Sequence, residues 1–587
     1  MKKIDFARSI AIAFTLTAVL SFTACGVIDD IKPGSRASNE QVSLSGYFGD
    51  PGEGEIAVVI DYEPKDFTFR EIDGRVCARL DMVDYEINDR FFKELDDTLV
   101  YTTREASYYL KPGADIYESP GGDIALDYVP YLIEDGEAYL DLEFVKAFSF
   151  IDYKIFDDDV KRIVMWRDVT RPGYFVRVKK DTRLRTAADI TKPFILNMTA
   201  DDELMYLVEE GEEFCYVMTK SGIAGYAMTS DIEITSERED ERIDTVSEKP
   251  DPNLYKGGEK VCLAWHQITN YLKNSDIRET LSGLSGVNVI SPTWFYINDN
   301  EGNIHEVGST AYVAACHDAG IQVWGLFSDY GKDDILSAEI FMNRAHRLHL
   351  EEQIMAMVDM YDLDGVNIDF EDISSEAGSG LLQFIRELSI LCREQGVILS
   401  IDNYVPSAHT LFYSRGEQAI YADYVIVMCY DEHYSGSGEG SVASIGFLEK
   451  GVTNTLALGV PAAQLIQANP FYTRVWCETP KTDIDVDSVE AASEDFVSYD
   501  ISSKVVSMRE GKRLLLDNGA DIVYLDEEGQ NYGEYEQEGR TYKIWLEDET
   551  SVNNRMKVFE KYGLGGVAFW KVGLESDGIW ELIGDYL

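Results

Sequence analysis

Eight short apolar runs recur between residues 258 and 587, with helical patterns between them. They read KVCLAWHQI, VNVISPTWFYI, IQVWGLF, GVNIDFE, VILSIDNY, YVIVMCY, LIQANPFY and GVAFW. Strands alternating with helices at this spacing give a parallel sheet, and eight such units are what a (β/α)8 barrel needs to close. A C-terminal α/β TIM barrel is therefore expected over 258–587. Between Arg474 and about Asp548 there is more chain than one crossover uses. It holds a helix (VVSMREGKRLLLDNG) and polar hairpin signals (NYGEYEQEGRTYKIW), so an α+β insertion over about 475–548 should wall one side of the cleft.

The fourth run carries the chemistry. In DGVNIDFE, residues 364–371, Asn367, Asp369 and Glu371 are two apart and share one face of a strand, while Val366, Ile368 and Phe370 share the other. Three inward polar groups backed by an apolar face suit a barrel wall that is chemically active at its C-terminal end. Acidic residues number 106 of 587, so carboxylate clusters arise by chance in this chain, and most of them are solvated faces. The setting distinguishes this one: MVDMYDLDGVNIDFEDI reads as the end of an amphipathic helix, a short turn and an apolar strand.

DGVNIDFE resembles the DxxDxDxE signature of glycoside hydrolase family 18, with Asp364, Asp369 and Glu371 in place and Asn367 replacing the second Asp. VMCYDEHY resembles the sixth-strand Met-x-Tyr-Asp pattern through Met428, Tyr430 and Asp431; NPFYTRVW and GGVAFWKVGLES resemble the seventh and eighth strands. Within the family the chain looks most like bacterial spore-cortex and cell-wall N-acetylglucosaminidases, in which IWLED (544–548) also has a counterpart. The Ser-x-Gly-Gly of many family chitinases is missing from the third strand, which reads VWGLFSDY.

The resemblance implies hydrolysis of β-1,4-linked N-acetylglucosaminyl bonds, in peptidoglycan ahead of chitin oligomers. In this family the substrate's own acetamido oxygen attacks the anomeric carbon, with retention. Glu371 would be the general acid, and Asp369 would accept the acetamido N–H and stabilise the oxazolinium. Tyr430 would donate to the acetamido oxygen. Asp431, Met428, Asn367 and Tyr472 would line the sugar site, with Trp570 as its floor. Trp294, Phe295 and Trp476 are candidates to extend the aromatic surface. Asp364 is expected to be structural, and His266 a hydrogen-bonded wall residue. Two close carboxylates resist joint ionisation, which keeps Glu371 protonated near neutral pH. Asn367 cannot titrate and is expected to donate its amide to Asp369, giving a simple acid limb in the pH profile.

The rest of the chain reads as export and accessory modules. Lys2, Lys3 and Arg8 precede an apolar run from Ile10 to Phe22, followed by Thr23-Ala24-Cys25-Gly26. This resembles a bacterial lipobox, implying cleavage before Cys25 and lipid on its thiol; Phe22 is unusual there, and ordinary signal cleavage is the alternative. The expected location is the outer face of the bacterial cytoplasmic membrane, or the cell wall and extracellular space. Residues 26–42 read as a tether. Residues 43–170 read as a small α+β accessory domain, weakly resembling the N-terminal domain of copper amine oxidases. Residues 173–236 read as a small all-β, bacterial Src-homology-3-type barrel ending in G-x-x-GY-x-x-x-x-D, and 237–257 as a charged linker.

The formal charge of −54 argues against nucleic acid as a partner. Cysteines are scattered, without metal spacing, and no phosphate loop appears, so neither metal nor cofactor is expected. A competing reading is a glycan-binding or wall-anchoring protein on a spent barrel; the joint presence of Glu371, Asp369 and Tyr430 argues against it.

Overall fold

The computed structural model describes residues 36–167, 173–200, 202–239, 260–329, 335–481 and 499–587. The expected export segment with Cys25, the start of the expected tether and most of the expected 237–257 linker lie outside the described residues. Those described fall into two units: the stretches up to Asn88 and from Glu134 to 239, and Asp89–Ile133 with everything from 260 onward.

The first unit holds two seven-stranded sheets. One is centred on Glu55–Ile60, Glu63–Ile72 and Arg75–Arg79 and carries the short helices Leu80–Glu86 and Leu142–Ala147. The other runs from Gly173–Val178 to Ile232–Glu239 and is antiparallel. They share one core, in which Ala57, Val59 and Val164 meet Val176, Cys215 and Val217. Gly222, at φ +83°, makes the approach possible: a Cβ there would lie 2.5 Å from Val164 Cγ2. The two stretches thus form a single unit sharing one core.

The second unit is built on eight parallel strands: β1 (Val261–His266), β2 (Val289–Pro292), β3 (Gln322–Ser328), β4 (Gly365–Asp369), β5 (Ile398–Tyr404), β6 (Tyr424–Met428), β7 (Leu465–Pro470) and β8 (Gly566–Trp570). Each pairs with its neighbours, and β8 pairs with β1, so the sheet closes into the expected barrel. Alternation sorts the side chains. Leu263, Trp265, Trp324, Leu326 and Ile426 fill the interior, while Val366, Ile368 and Phe370 face outward into the helical layer. Between β7 and β8, the strands Tyr472–Pro480, Tyr499–Ser507, Ile522–Leu525, Gln530–Gln537 and Arg540–Leu546 make an antiparallel sheet, with helix Met508–Asp517 packed beside it.

The accessory stretch 43–170 is not one domain. Its middle, from Asp89 to Ile133, leaves the first unit and forms an antiparallel meander of five short strands packed against the barrel helix Gly378–Gln395. Polar side chains hold it there. Arg347, fully buried, is bonded bidentately to Glu94 and at 2.9 Å to Glu387. Gln383 donates to the Thr102 hydroxyl at 2.8 Å, and Glu417 accepts from both Arg90 and Arg386. Strand signals in a sequence do not say which core a strand joins; these partners, more than 200 residues away in the chain, decide it.

Candidate active site

Helix Arg344–Tyr361 ends at Asp362, whose left-handed backbone (φ 57°) turns the chain toward β4. Gly365 opens the strand where a Cβ would stand 2.6 Å from Trp324 Cδ1. Glu371 follows just past the C-terminal end of β4, and the backbone there is held from two sides. Asp329, after β3, accepts from the N–H of Glu371 at 2.8 Å and of Asp372 at 3.0 Å. The Tyr413 hydroxyl lies 3.2 Å from the carbonyl oxygens of both Phe370 and Glu371, within donating distance of each. The general-acid candidate therefore sits on a fixed loop.

Two pleat repeats deeper, Asn367 is completely buried and fully bonded. Its oxygen accepts from Trp265 Nε1 at 3.0 Å and Ser291 Oγ at 3.1 Å. Its amide donates to Ser400 Oγ at 3.1 Å and Asp402 Oδ1 at 2.8 Å. The expected bond from Asn367 to Asp369 is absent, for a geometric reason. Residues two apart on a strand are separated by roughly 6.6 Å, whereas neighbouring strands are about 4.8 Å apart, so the inward amide reaches across the ladder to β5.

Asp369 keeps some accessible surface as a residue, but its Oδ1 has none and no hydrogen-bond partner. Burial raises its carboxyl well above the ordinary range, and Asp402, Glu371 and Asp329 add to the effect in that order. Asp402, 3% exposed, is raised by burial too, with the Asn367 bond opposing. Glu371 is raised first by burial; the Tyr404 hydroxyl, which donates to it, offsets part of this, and Asp372 and Asp431 push the other way. Asp329 is pushed up to about 7 by burial, against the pull of its two N–H donors. Several carboxylates thus share a poorly solvated space that favours proton-bearing forms.

Around them, Tyr430 follows β6, and burial followed by Asp369 keeps its phenol protonated far above neutral pH. Its ring meets Tyr472 edge-on at 6.3 Å, and the Tyr472 hydroxyl donates to Asp431 at 2.7 Å. Asp431 is exposed, with a left-handed backbone (φ 57°). Met428 is buried at the end of β6, and Trp570 ends β8, tilted against Trp265 at 6.1 Å.

Other candidates lie elsewhere. Trp294 and Phe295 are buried in the helical layer, Trp294 donating to Asn274 and Phe295 stacked on Phe327. Trp476 is buried in the insertion and donates to the Gly440 carbonyl. His266 is bonded to the Tyr312 hydroxyl at 2.9 Å, and burial lowers it to about 4. Asp364 lies at the opposite end of β4, where it accepts from Val323 N–H at 2.8 Å and pairs with His317 at 2.9 Å. Among the described residues, no group of His, Cys, Asp or Glu has the arrangement of a metal site, and the seven cysteines are free thiols.

Residues 331–575 match glycosyl hydrolases family 18. Residues 331–575 are thus similar to a family 18 glycoside hydrolase domain. The stretch matched includes β4 to β8 with Asn367, Asp369, Glu371, Asp402, Tyr430, Asp431, Tyr472 and Trp570, while Trp265, Ser291 and Asp329 lie before it. The glycosylase YdhD of Bacillus subtilis (strain 168) is 26% identical over 252 residues, 42% of this chain and 55% of YdhD. The cortical fragment-lytic enzyme of the same organism is 21% identical over 259 residues, 43% of this chain and 56% of that enzyme. The chain thus spans just over half the length of each. Among solved structures, a chitinase of Chromobacterium violaceum ATCC 12472 aligns at a TM-score of 0.48 and 18% identity, covering 56% of this chain and 99% of that one.

Three residues at the mouth of the barrel escaped the sequence reading: Asp329, Asp402 and Tyr404. For two of them a signal was present. VILSIDNY alternates in the same way as β4, with Ser400, Asp402 and Tyr404 on one face and Leu399 and Ile401 on the other. Asp329 lies beyond its strand, where alternation says nothing.

Proposed function

We propose that the protein hydrolyses β-1,4-linked N-acetylglucosaminyl bonds in peptidoglycan or related chitin-like glycans, by a retaining, substrate-assisted mechanism. The observation that carries the reading is Glu371: a carboxyl raised by burial, on a backbone fixed by Asp329 and Tyr413, beside the unpartnered Oδ1 of Asp369. Glu371 donates its proton to the glycosidic oxygen as that bond breaks. The substrate's acetamido oxygen closes on the anomeric carbon, forming an oxazolinium ion. Asp369 takes the acetamido N–H and offsets the positive charge, and Tyr430 donates to the acetamido oxygen to align it. Water then opens the ring on the same face and returns a proton to Glu371. Asp431, held by Tyr472, binds a sugar hydroxyl; Met428 and Trp570 form the apolar floor, and Asn367 fixes the polar layer beneath.

Peptidoglycan is favoured over chitin by the third-strand departure and by the similarity to a cortical fragment-lytic enzyme. The export segment fits a wall substrate, with Cys25 as the lipid attachment point and 173–236 as a wall-binding or spacing module. The deciding assay incubates the purified protein and Glu371→Gln with peptidoglycan and with chitin oligomers, and identifies new reducing ends by mass spectrometry. Cleavage after N-acetylglucosamine by the wild type, reduced about a hundredfold or more in the variant, is expected. Binding without cleavage of either polymer would move the barrel to a glycan-binding role.

A further inference from the structure

Asn367 removes one carboxylate from the layer beneath the reacting centre, and β5 puts one back. In the register of β4 and β5, Asn367 is level with Ser400 and Ile368 with Ile401, so the next inward pair is Asp369 and Asp402. Asp402 is 3% exposed, and Asn367 anchors its Oδ1 at 2.8 Å. Across from it, Asp369 Oδ1 is buried without a donor. The charges acting on Asp369, Asp402 and Glu371 all come from other carboxylates, with Asp402 foremost at Asp369. The other titratable groups that face this pair are Glu371, Asp329 and the phenols of Tyr404, Tyr413 and Tyr430, and none is a cation. Two buried carboxylates side by side cannot both ionise; one proton stays between them.

We propose that Asp402 is the proton-holding partner of Asp369: the two share one proton, which resides on Asp402 while Asp369 is ionised against the oxazolinium. The role rests on the hydrolytic reading above. The proton leaves the Asp369 carboxyl oxygen for Asp402 as positive charge develops on the substrate, and returns when water has opened the oxazolinium. Glu371 handles a separate proton, given to the leaving oxygen and recovered from that water, so the count closes over one turnover. Asp402 does not touch the substrate; it positions charge on a residue that does. Asn367 fixes the pair by committing its amide to Asp402.

The hydrogen-bond pattern offers a test that ordinary damage would not mimic, because the two residues can trade places. Asp402→Asn keeps an acceptor for the Asn367 amide but removes the shared proton. Asn367→Asp combined with Asp402→Asn restores a carboxylate on the other side of the same hydrogen bond, still able to accept from Trp265 and Ser291. With the full-length protein and a soluble fluorogenic N-acetylglucosamine oligomer, Asp402→Asn should lower kcat about a hundredfold with KM changed little, and alter the acid limb of the pH profile. The transposed double variant should recover to within about tenfold of wild type. Wild-type kcat and pH profile in Asp402→Asn would overturn the role, and so would failure of a folded double variant to recover.

A second readout stands apart from catalysis. In 13C-carboxyl NMR of the aspartate-labelled protein, an aspartate titrating well above the ordinary aspartate range, distinct from Asp329, should vanish in Asp402→Asn and return in the double variant. Absence of that signal in the wild type sinks the shared proton even in an active enzyme. Its presence in a protein that cleaves neither polymer would overturn the hydrolytic reading while leaving the proton pair in place.

Discussion

The backbone of Glu371 and Asp372 depends on a single side chain, Asp329, which is 4% exposed and accepts from both N–H groups. Asp329→Ala leaves two donors without a partner in a poorly hydrated loop, at a cost of about 2 kcal/mol. The expected outcome is a lower denaturant midpoint and a lower kcat with KM nearly unchanged, because the proposed acid Glu371 is misplaced rather than removed. Two residues also give folding stability opposite pH dependences. Asp329 rises from its ordinary value of 3.8 to about 7 on folding, so its contribution is complete below the unfolded value and is lost as pH rises through about 7. His266 falls from 6.5 to about 4, so its contribution is present above 6.5 and is lost as pH falls toward 4. Urea melts between pH 4 and 8 would resolve both: Asp329→Asn should flatten the neutral side of the stability profile, and His266→Gln the acidic side.

Between elements, the decisive contact is the meander 89–133 on the barrel helices. Arg347 and Glu387 belong to the barrel and Glu94 to the meander, and all three are nearly fully buried. Removing one member of a buried ion network strands the others, so Glu94→Ala should destabilise the docked meander by about 3 kcal/mol. Hydrogen exchange is the measurement, since it reports element by element. Strands Phe91–Lys93 and Leu99–Thr102 should exchange faster in the variant while β4 and β5 keep their protection. Equal loss of protection in the barrel strands would mean that meander and barrel unfold together. The strands of 43–170 were legible one by one from their alternation and turns. Their division between two cores was not, because Glu94 and Thr102 look like surface residues until Arg347 and Gln383 are placed against them.

At the scale of the whole chain, the candidate site is drawn from β3 to β8 and the loops that follow them, but the barrel's surface is finished by residues far upstream. A chain restricted to 258–587 would lack Arg90, Glu94 and Thr102, leaving Arg347 without one of its two carboxylate partners and Gln383 without its hydroxyl. Its thermal midpoint should therefore fall below that of the full chain. An unchanged midpoint would show that the meander adds nothing to barrel stability.

The sequence by itself determined the eight strands and, for β4, which side chains face inward, Asp369 and Glu371 among them, and which face outward. All of these are properties of local alternation and spacing, which any short stretch of chain displays. It also left a readable trace of Asp402 in the pattern of VILSIDNY. Tertiary structure alone decided which groups meet: Asn367 with Asp402 rather than Asp369, Asp329 with the backbone of Glu371, the meander with the barrel, and Trp294 and Trp476 with the core rather than the cleft. Partners across a ladder or between packed layers come from residues far apart in sequence, and only register and packing bring their polar atoms within bonding distance.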